Sequence, residues 1–134
     1  MATTIITTSR EWRDLDLNFA IHPVRKDINK HRAEFAVINS IKNLILTNHY
    51  EIPFQPEIGC NIRKLLFEPL DMITASLIDR EIVETINNFE PRANVTKIVV
   101  SPDFDNNGFI VELLFQIINR TDPIAIKFFL ERVR

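Results

Sequence analysis

The segment Phe89-Glu90-Pro91-Arg92 most constrains how this chain can fold, because it separates two different spacings of apolar residues. Pro91 cannot donate a backbone hydrogen bond, and it disfavours helical geometry at Glu90. Before it, apolar residues recur about every 3.6 positions, and after it they recur about every 2, so a helix precedes the proline and strands follow it. The helix must therefore end at about Asn88 or Phe89. The chain then turns through a rigid corner that carries one acid and one base.

Before the corner, the sequence predicts two main helices with a short helix between them. Apolar residues spaced by three and four positions give each main helix one apolar face. The three helices are expected at residues 32–47, 62–67 and 71–88. Asn61 is expected to cap the short helix, and Asp71 or Thr74 is expected to cap the last one.

After the corner, alternation of apolar residues predicts strands at residues 95–101, 109–119 and 124–131. The segment Asp105-Asn106-Asn107-Gly108 has the composition of a tight hairpin turn, and Thr121-Asp122-Pro123 is a second turn. The predicted fold is therefore α+β. A three-stranded antiparallel sheet, or a four-stranded one if the N-terminal arm joins it, packs on the two main helices and the short helix.

Length and composition exclude several classes of protein. The 134 residues fit one domain, which we place at residues 21–134 after an N-terminal arm at residues 1–20. A net charge of −2 lacks the basic character of a nucleic-acid-binding protein. The single cysteine, Cys60, excludes an internal disulfide and fits a reducing cytoplasm. No apolar run reaches the roughly 20 residues of a membrane span. We expect neither a nucleic-acid nor a membrane partner.

Catalytic, metal and cofactor sites have little support in the sequence. Several carboxylates lie near predicted loops, and two of them could serve glycoside hydrolysis, but no spacing singles out a pair. Cys60 and His49 could form a nucleophile and base, yet a lone cysteine among apolar residues is usually part of the core. Only two glycines are present, so a phosphate-binding loop is excluded. The histidines have no metal-ligand spacing. We expect no catalytic residue, metal or cofactor.

Two segments remain as candidates for binding a protein partner. The first is the loop Pro53-Phe54-Gln55-Pro56-Glu57-Ile58-Gly59, in which Phe54 and Ile58 are expected to anchor the loop in the core. Gly59 is expected to adopt a conformation that a Cβ would penalise. The second is the corner, where Glu90 and Arg92 cannot both be buried cheaply unless they are paired. They form either a solvated ion pair or a fixed charged knob that meets a partner.

Together these segments resemble one known family. The loop resembles the family's "R-P-F-x-P-E-F-G" segment, and Leu65-Leu66-Phe67-Glu68 looks like its "L-F-E" element. Phe89-Glu90-Pro91-Arg92 is similar to its "Y/F-E-P-R-I" signature. The family is that of the lysozyme-like baseplate wedge proteins of contractile phage tails, which are related to the TssE baseplate component of type VI secretion. The resemblance runs from about Ile38 to the C-terminus.

The resemblance implies a structural subunit, not an enzyme, at the junction of baseplate and sheath. Such a subunit belongs to the virion tail, is assembled in the host cytoplasm and is present in multiple copies in the baseplate. It would bind the helical core bundle of the other wedge proteins and start polymerisation of the tail sheath protein by strand pairing. The implied partner-binding residues are Glu90, Pro91 and Arg92 at the corner, and Phe54, Pro56, Glu57 and Gly59 in the loop.

Two alternatives stay open at this point. The lysozyme-like label would make the chain a peptidoglycan-degrading enzyme, with Glu57 or Glu68 as the acid. The same structural role could also belong to a baseplate component of a type VI secretion-like system, since the sequence does not separate such a system from a phage tail.

Overall fold

The computed structural model of the chain describes residues 13–15, 23–24 and 30–133. The chain divides into two compact units, residues 1–36 and residues 37–134. In the first unit, β1 (Arg13–Leu15) pairs antiparallel with β2 (Lys30–Arg32) in a two-stranded sheet. The predicted arm at residues 1–20 lies mostly outside the described residues. Its described strand pairs with β2, and the main sheet contains three described strands.

The remaining elements confirm the predicted α+β order of helices followed by strands. They are α1 (Ala33–Leu46), α2 (Ile62–Leu65), α3 (Met72–Phe89), β3 (Ala93–Asp103), β4 (Gly108–Ile117) and β5 (Pro123–Glu131). Each end lies within two residues of its predicted position. No helix in the described part of the chain is long and apolar enough to cross a membrane.

Helix α3 forms where its apolar spacing and its cap agree. The Asp71 carboxylate accepts a hydrogen bond of 2.7 Å from the Thr74 N–H, as predicted for a cap, and this bond lowers the pKa of Asp71. The predicted apolar stripe is buried at Ile78, Ile82 and Ile86. Leu77 is apolar and next to this stripe in sequence, and the spacing predicts that it belongs to the same apolar face, but it is exposed. The buried face of α3 packs on β3.

Strand β4 lies at the centre of an antiparallel sheet with the order β3-β4-β5. One face of β4 lies in the core, because every second side chain along the strand points to that face and is almost completely buried. These residues are Phe109, Val111, Leu113, Phe115 and Ile117. The opposite face is more accessible, with Ile110 and Leu114 only half-buried. The predicted alternation of this strand is confirmed.

Two local predictions are wrong. Strict alternation in β3 would place Thr96 on the same face as Ile98, but a bulge between Val95 and Lys97 lets Val95 pair opposite Phe115 on the core face. Within the described residues, Asn61 makes no side-chain hydrogen bond at the start of α2. Its carbonyl oxygen accepts the Lys64 N–H at 3.1 Å instead.

Candidate partner-binding site

The corner, residues 89–93, is held by backbone hydrogen bonds on both sides of Pro91. The Glu90 N–H donates to the Ile86 carbonyl oxygen at 2.8 Å, which closes the last turn of α3. The Ile118 N–H, just after β4, donates to the Arg92 carbonyl oxygen at 2.9 Å. With the proline ring fixing one more dihedral angle, the corner is rigidly attached to both the helix and the sheet.

Glu90 and Arg92 form a bidentate ion pair inside this corner. Arg92 Nε donates to Glu90 Oε1 at 2.5 Å, and Nη2 donates to Oε2 at 2.7 Å, which is the fork geometry that an arginine offers a carboxylate. Glu90 is only 2% exposed, whereas the Arg92 side chain is 29% exposed. The solvated ion pair considered from the sequence is therefore wrong for Glu90. Arg92 presents part of its side chain to the surface.

The surroundings of the Glu90 carboxylate favour its ionised form. Burial raises this pKa, but hydrogen bonds from the side chains of Arg92 and Ser40, with the charge of Arg92, more than offset burial, so that the pKa lies below its ordinary value. Ser40 lies on α1. The carboxylate thus links α1 to the corner, and its role in the fold is to fix Arg92 in one orientation.

The loop, residues 47–60, is closed and shaped by its own hydrogen bonds. The Cys60 N–H donates to the Thr47 carbonyl oxygen at 2.8 Å and joins the two ends. The Tyr50 N–H crosses the loop to the Pro56 carbonyl oxygen at 3.0 Å. His49 Nδ1 lies 3.1 Å from the Glu57 carbonyl oxygen. These bonds make the loop a compact surface element, not merely an extended connector.

Gly59 is the residue that lets the two ends of the loop meet. Its φ is 134°, and a Cβ at this position would lie 2.7 Å from the Thr47 carbonyl oxygen. The expectation that a side chain is penalised here is confirmed. Gly59 is buried, and its carbonyl oxygen accepts a hydrogen bond of 3.4 Å from the Thr85 hydroxyl of α3. Its contribution is to shape the loop.

Phe54 corrects the predicted anchoring of the loop, because it is fully exposed and does not enter the core. The Gln55 N–H donates to the Ile52 carbonyl oxygen at 3.3 Å and closes a tight turn. Pro53 occupies the second position of that turn, and Phe54, with a φ of 67°, occupies the third. This matches a type II turn, whose third residue has a positive φ. A positive φ is uncommon for a bulky residue and marks local strain.

The other loop residues differ in their exposure to solvent. Pro56 and Glu57 are exposed as expected for partner contact, and Ile58 is half-buried. Sequence reasoning missed Tyr50, which is 84% exposed and has a φ of 67°. The sequence gives little indication that Tyr50 is exposed, since a tyrosine after Asn48-His49 is also typical of the end of a helix. Two exposed aromatic rings on strained backbone therefore stand on a loop that its own hydrogen bonds hold in place.

Comparison with known proteins decides the family. The model of the family described as baseplate wedge protein gp25 matches residues 31–120. This chain belongs to that family. Baseplate wedge protein gp25 of Enterobacteria phage T4 is 33% identical over 99 residues, which cover 74% of this chain and 75% of that protein. The resemblance suggested by the loop and the corner is confirmed.

Solved structures share the fold at low sequence identity. A Geobacter sulfurreducens protein described as a tail lysozyme has a TM-score of 0.63 and 24% identity, covering 74% of this chain and 92% of that chain. A chain of the anti-feeding prophage baseplate has a TM-score of 0.63 and 17% identity, covering 92% and 88%. A chain of the postcontracted pyocin R2 baseplate has a TM-score of 0.55 and 15% identity, covering 88% and 98%.

Family membership makes this chain a structural protein of a contractile-tail baseplate, and so a part of the virion tail. The family is one of baseplate structural proteins, which favours a structural role over an enzymatic one. The name tail lysozyme belongs to the Geobacter protein. In this chain, Glu57 and Glu68 are both exposed on separate surface segments. Among the described residues, no group of three or more His, Cys, Asp or Glu side chains could hold a metal ion.

Proposed function

We propose that this chain docks on the helical core bundle of its baseplate wedge through the corner and the loop, and that its sheet starts polymerisation of the tail sheath. The observation that carries the proposal is the bidentate pair between Glu90 and Arg92. It fixes one partly exposed arginine side chain at a rigid turn between α3 and β3.

A preorganised arginine is well suited to this docking role. Ordering a long, flexible side chain at an interface costs about 0.5–1.5 kcal/mol, and that cost is reduced if the side chain is already fixed in the free protein. Pro91 is exposed beside Arg92 and adds a rigid apolar contact. Glu90 acts indirectly, because its carboxylate is buried and holds Arg92 in position.

The loop supplies the second contact. Phe54 is fully exposed and Pro56 and Glu57 lie on the same turn-rich surface, while Gly59 sets the shape of the loop from inside. Aromatic residues provide a large share of binding energy at protein interfaces. A bulky ring kept in water on a strained backbone is a cost in the free protein, and burial against a wedge partner would offset it.

The contact with the sheath follows from the edges of the sheet. Among the described strands, β3 and β5 are the edges of the three-stranded sheet, so each has one row of backbone groups that no described strand of that sheet pairs. An added strand satisfies such a row directly, which is a recurring way in which an extended segment binds a sheet. In the assembled tail, the first ring of sheath subunits would supply that strand.

The test separates docking from folding. A single replacement of Arg92 leaves the Glu90 carboxylate buried without its main partner, so it perturbs the fold as well as the surface. The double variant Glu90→Met/Arg92→Leu removes the guanidinium group but leaves no buried charge, and apolar replacement of a buried ion pair is often neutral for stability. Tagged wild-type and double-variant proteins are expressed in tail-producing cells, and the recovery of the other wedge proteins is measured.

We expect the double variant to keep the wild-type circular dichroism spectrum and urea midpoint while recovering at least about tenfold less wedge protein, equivalent to about 1.4 kcal/mol. Equal recovery by the two proteins would remove the corner from the interface. Failure of the wild type itself to recover wedge proteins would overturn the proposed function.

A further inference from the structure

We infer that the loop, residues 47–60, binds a cationic side chain, a lysine or an arginine, of the wedge partner, and that its exposed aromatic rings and carboxylates form the site. The inference deepens the function proposed above and rests on it, because it names the chemistry that the partner offers to this loop. It also constrains the orientation in which the partner docks.

The loop presents two aromatic rings to solvent, those of Tyr50 and Phe54. Tyr50 is 84% exposed and Phe54 is 100% exposed. The face of an aromatic ring is negative, and it attracts an ammonium or guanidinium group that lies within about 6 Å of the ring centre. Both residues have a φ of 67°, and hydrogen bonds within the loop hold this backbone in place. The points from which the two rings extend are therefore fixed before a partner binds.

Two glutamates, Glu51 and Glu57, are close to Tyr50. The Tyr50 N–H donates at 3.0 Å to the carbonyl oxygen of the peptide bond between Pro56 and Glu57, so Tyr50 and Glu57 are neighbours across the loop. Glu51 follows Tyr50 in the chain, and its carboxylate accepts a hydrogen bond of 2.8 Å from the Asn48 N–H, which keeps it against the loop. Both glutamates are exposed. Acidic and aromatic side chains thus share one small, closed surface element.

No lysine or arginine within the loop balances these two carboxylates. The sequence from Thr47 to Cys60 contains neither residue, and the nearest ones along the chain are Lys42 and Arg63, beyond the two ends of the loop. The loop also begins at the C-terminal end of α1, where the helix dipole places partial negative charge, and the last turn of α1 has no basic residue. The surface that carries the two rings is therefore negative.

A cation suits this surface better than an apolar side chain does. An apolar residue packed on Phe54 would draw the neighbouring carboxylates out of water without giving them a partner, which is costly. A lysine or arginine covers a ring with its aliphatic stem or its charged group and can pair with a carboxylate at the same time. Arginine fits especially well, because its planar group stacks on aromatic faces and binds carboxylates.

The loop and the corner present charges of opposite sign to the partner. Arg92 exposes part of its cationic side chain at the corner, where the Glu90 carboxylate is hydrogen-bonded to Ser40 of α1. The loop begins at Thr47, which lies about two turns, or about 10 Å, further along the axis of α1. A partner that offers an acid to Arg92 and a cation to the loop therefore docks in one orientation, because the reverse orientation brings like charges together.

The experiment distinguishes a cationic occupant from an apolar one. Phe54→Leu keeps an apolar side chain but removes the ring, and Phe54→Trp supplies a ring that attracts cations more strongly. Glu57→Gln removes one charge with little change of shape. The matched controls are Phe104→Leu, at an exposed aromatic residue on the β3–β4 turn, and Glu84→Gln, at an exposed position of α3. Recovery of wedge proteins by each tagged variant from tail-producing cells is measured at about 0.05 M and about 0.5 M salt, a range over which screening changes strongly.

We expect Phe54→Leu and Glu57→Gln each to recover about fivefold less wedge protein than the wild type at the lower salt concentration. Phe54→Trp should recover at least about threefold more than Phe54→Leu. Both controls should stay within about twofold of the wild type, since most exposed residues outside an interface contribute little to binding. The deficit of Glu57→Gln should shrink at the higher salt concentration, because the attraction that this variant lacks is then screened in the wild type as well.

Wild-type recovery by Phe54→Leu would overturn the inference, since the occupant would then be apolar, and so would wild-type recovery by Glu57→Gln. It is equally overturned if Phe54→Trp recovers no more than Phe54→Leu, if the controls lose as much as the loop variants, or if the deficit of Glu57→Gln does not change with salt. A dimer of the isolated wild type that Glu57→Gln dissociates would show that a second copy occupies the loop instead. In each of these outcomes the wild type still recovers wedge proteins. Failure of the wild type to do so would refute the proposed function, and this inference with it.

Discussion

Replacement of Arg92 by alanine should destabilise the protein strongly, although Arg92 is the more exposed member of its ion pair. The substitution removes two hydrogen bonds from the carboxylate of Glu90, a residue that is 2% exposed. Breaking a buried ion pair by removing one partner costs about 3–5 kcal/mol. Because the Arg92 side chain is 29% exposed, water can enter the vacated space, and Ser40 still binds the carboxylate. We therefore expect a loss of about 2–3 kcal/mol in the free energy of unfolding.

Urea unfolding followed by circular dichroism measures this loss. With a slope of about 1.5 kcal/mol per molar urea, the midpoint should fall by about 1–2 M. Glu90→Gln should cost less, about 1 kcal/mol, because the charge that is no longer balanced then belongs to the more exposed Arg92 side chain. The double variant Glu90→Met/Arg92→Leu should unfold close to the wild type. A loss of under about 0.5 kcal/mol for Arg92→Ala, the size of an ordinary surface substitution, would refute the reasoning.

The pH dependence of the same variant provides an internal check. In the wild type the pKa of Glu90 lies below its ordinary value of 4.5, so the stabilisation it gives is complete above that value and is lost as the pH falls through the folded-state pKa. In Arg92→Ala, burial acts without the guanidinium group and raises the pKa of Glu90, so protonation relieves the penalty. The difference in midpoint between the two proteins should therefore narrow from about pH 7 to about pH 4. A constant difference would contradict this account.

Two further predictions concern the loop. Gly59→Ala should lower the free energy of unfolding by about 2–4 kcal/mol, because the new Cβ meets the Thr47 carbonyl oxygen and φ is positive; an unchanged urea midpoint would contradict the described loop closure. Phe54→Ser should leave the urea midpoint unchanged but reduce recovery of wedge proteins, whereas the control Phe104→Ser, at an exposed aromatic on the β3–β4 turn, should reduce neither. Equal recovery by the two variants would remove Phe54 from the interface.

The helices and strands could be predicted from the sequence because their buried residues recur with the period of the helix or the strand. The alternation from Phe109 to Ile117 and the spacing of Ile78, Ile82 and Ile86 each report one buried face, and the structure buries those faces. Pro91 fixed the end of α3 from its chemistry alone. The burial of Glu90 could not be predicted from the sequence. The sequence indicates that a buried acid at this position must be paired, but it does not indicate whether the acid is buried.

Irregular elements could not be predicted in the same way. The expectation that Phe54 anchors the loop in the core failed, because the residue lies in a tight turn with a positive φ and its side chain is fully exposed. The bulge after Val95 likewise depends on the register with β4, which no local pattern in β3 records. Hydrogen bonds across the loop, such as that from Tyr50 to Pro56, could not be predicted because backbone groups form them and the residue types do not indicate which groups pair.

The internal pairing of Glu90 with Arg92 has a consequence for how the family can change over time. Because loss of either side chain alone leaves a buried or unbalanced charge, the two positions should be replaced together or retained together, whatever the partner outside. Selection for folding is enough to preserve them. Tails whose wedge proteins have diverged should therefore still share these two residues. Substitutions that accompany a changed partner should occur at exposed neighbours such as Pro91 and Phe54.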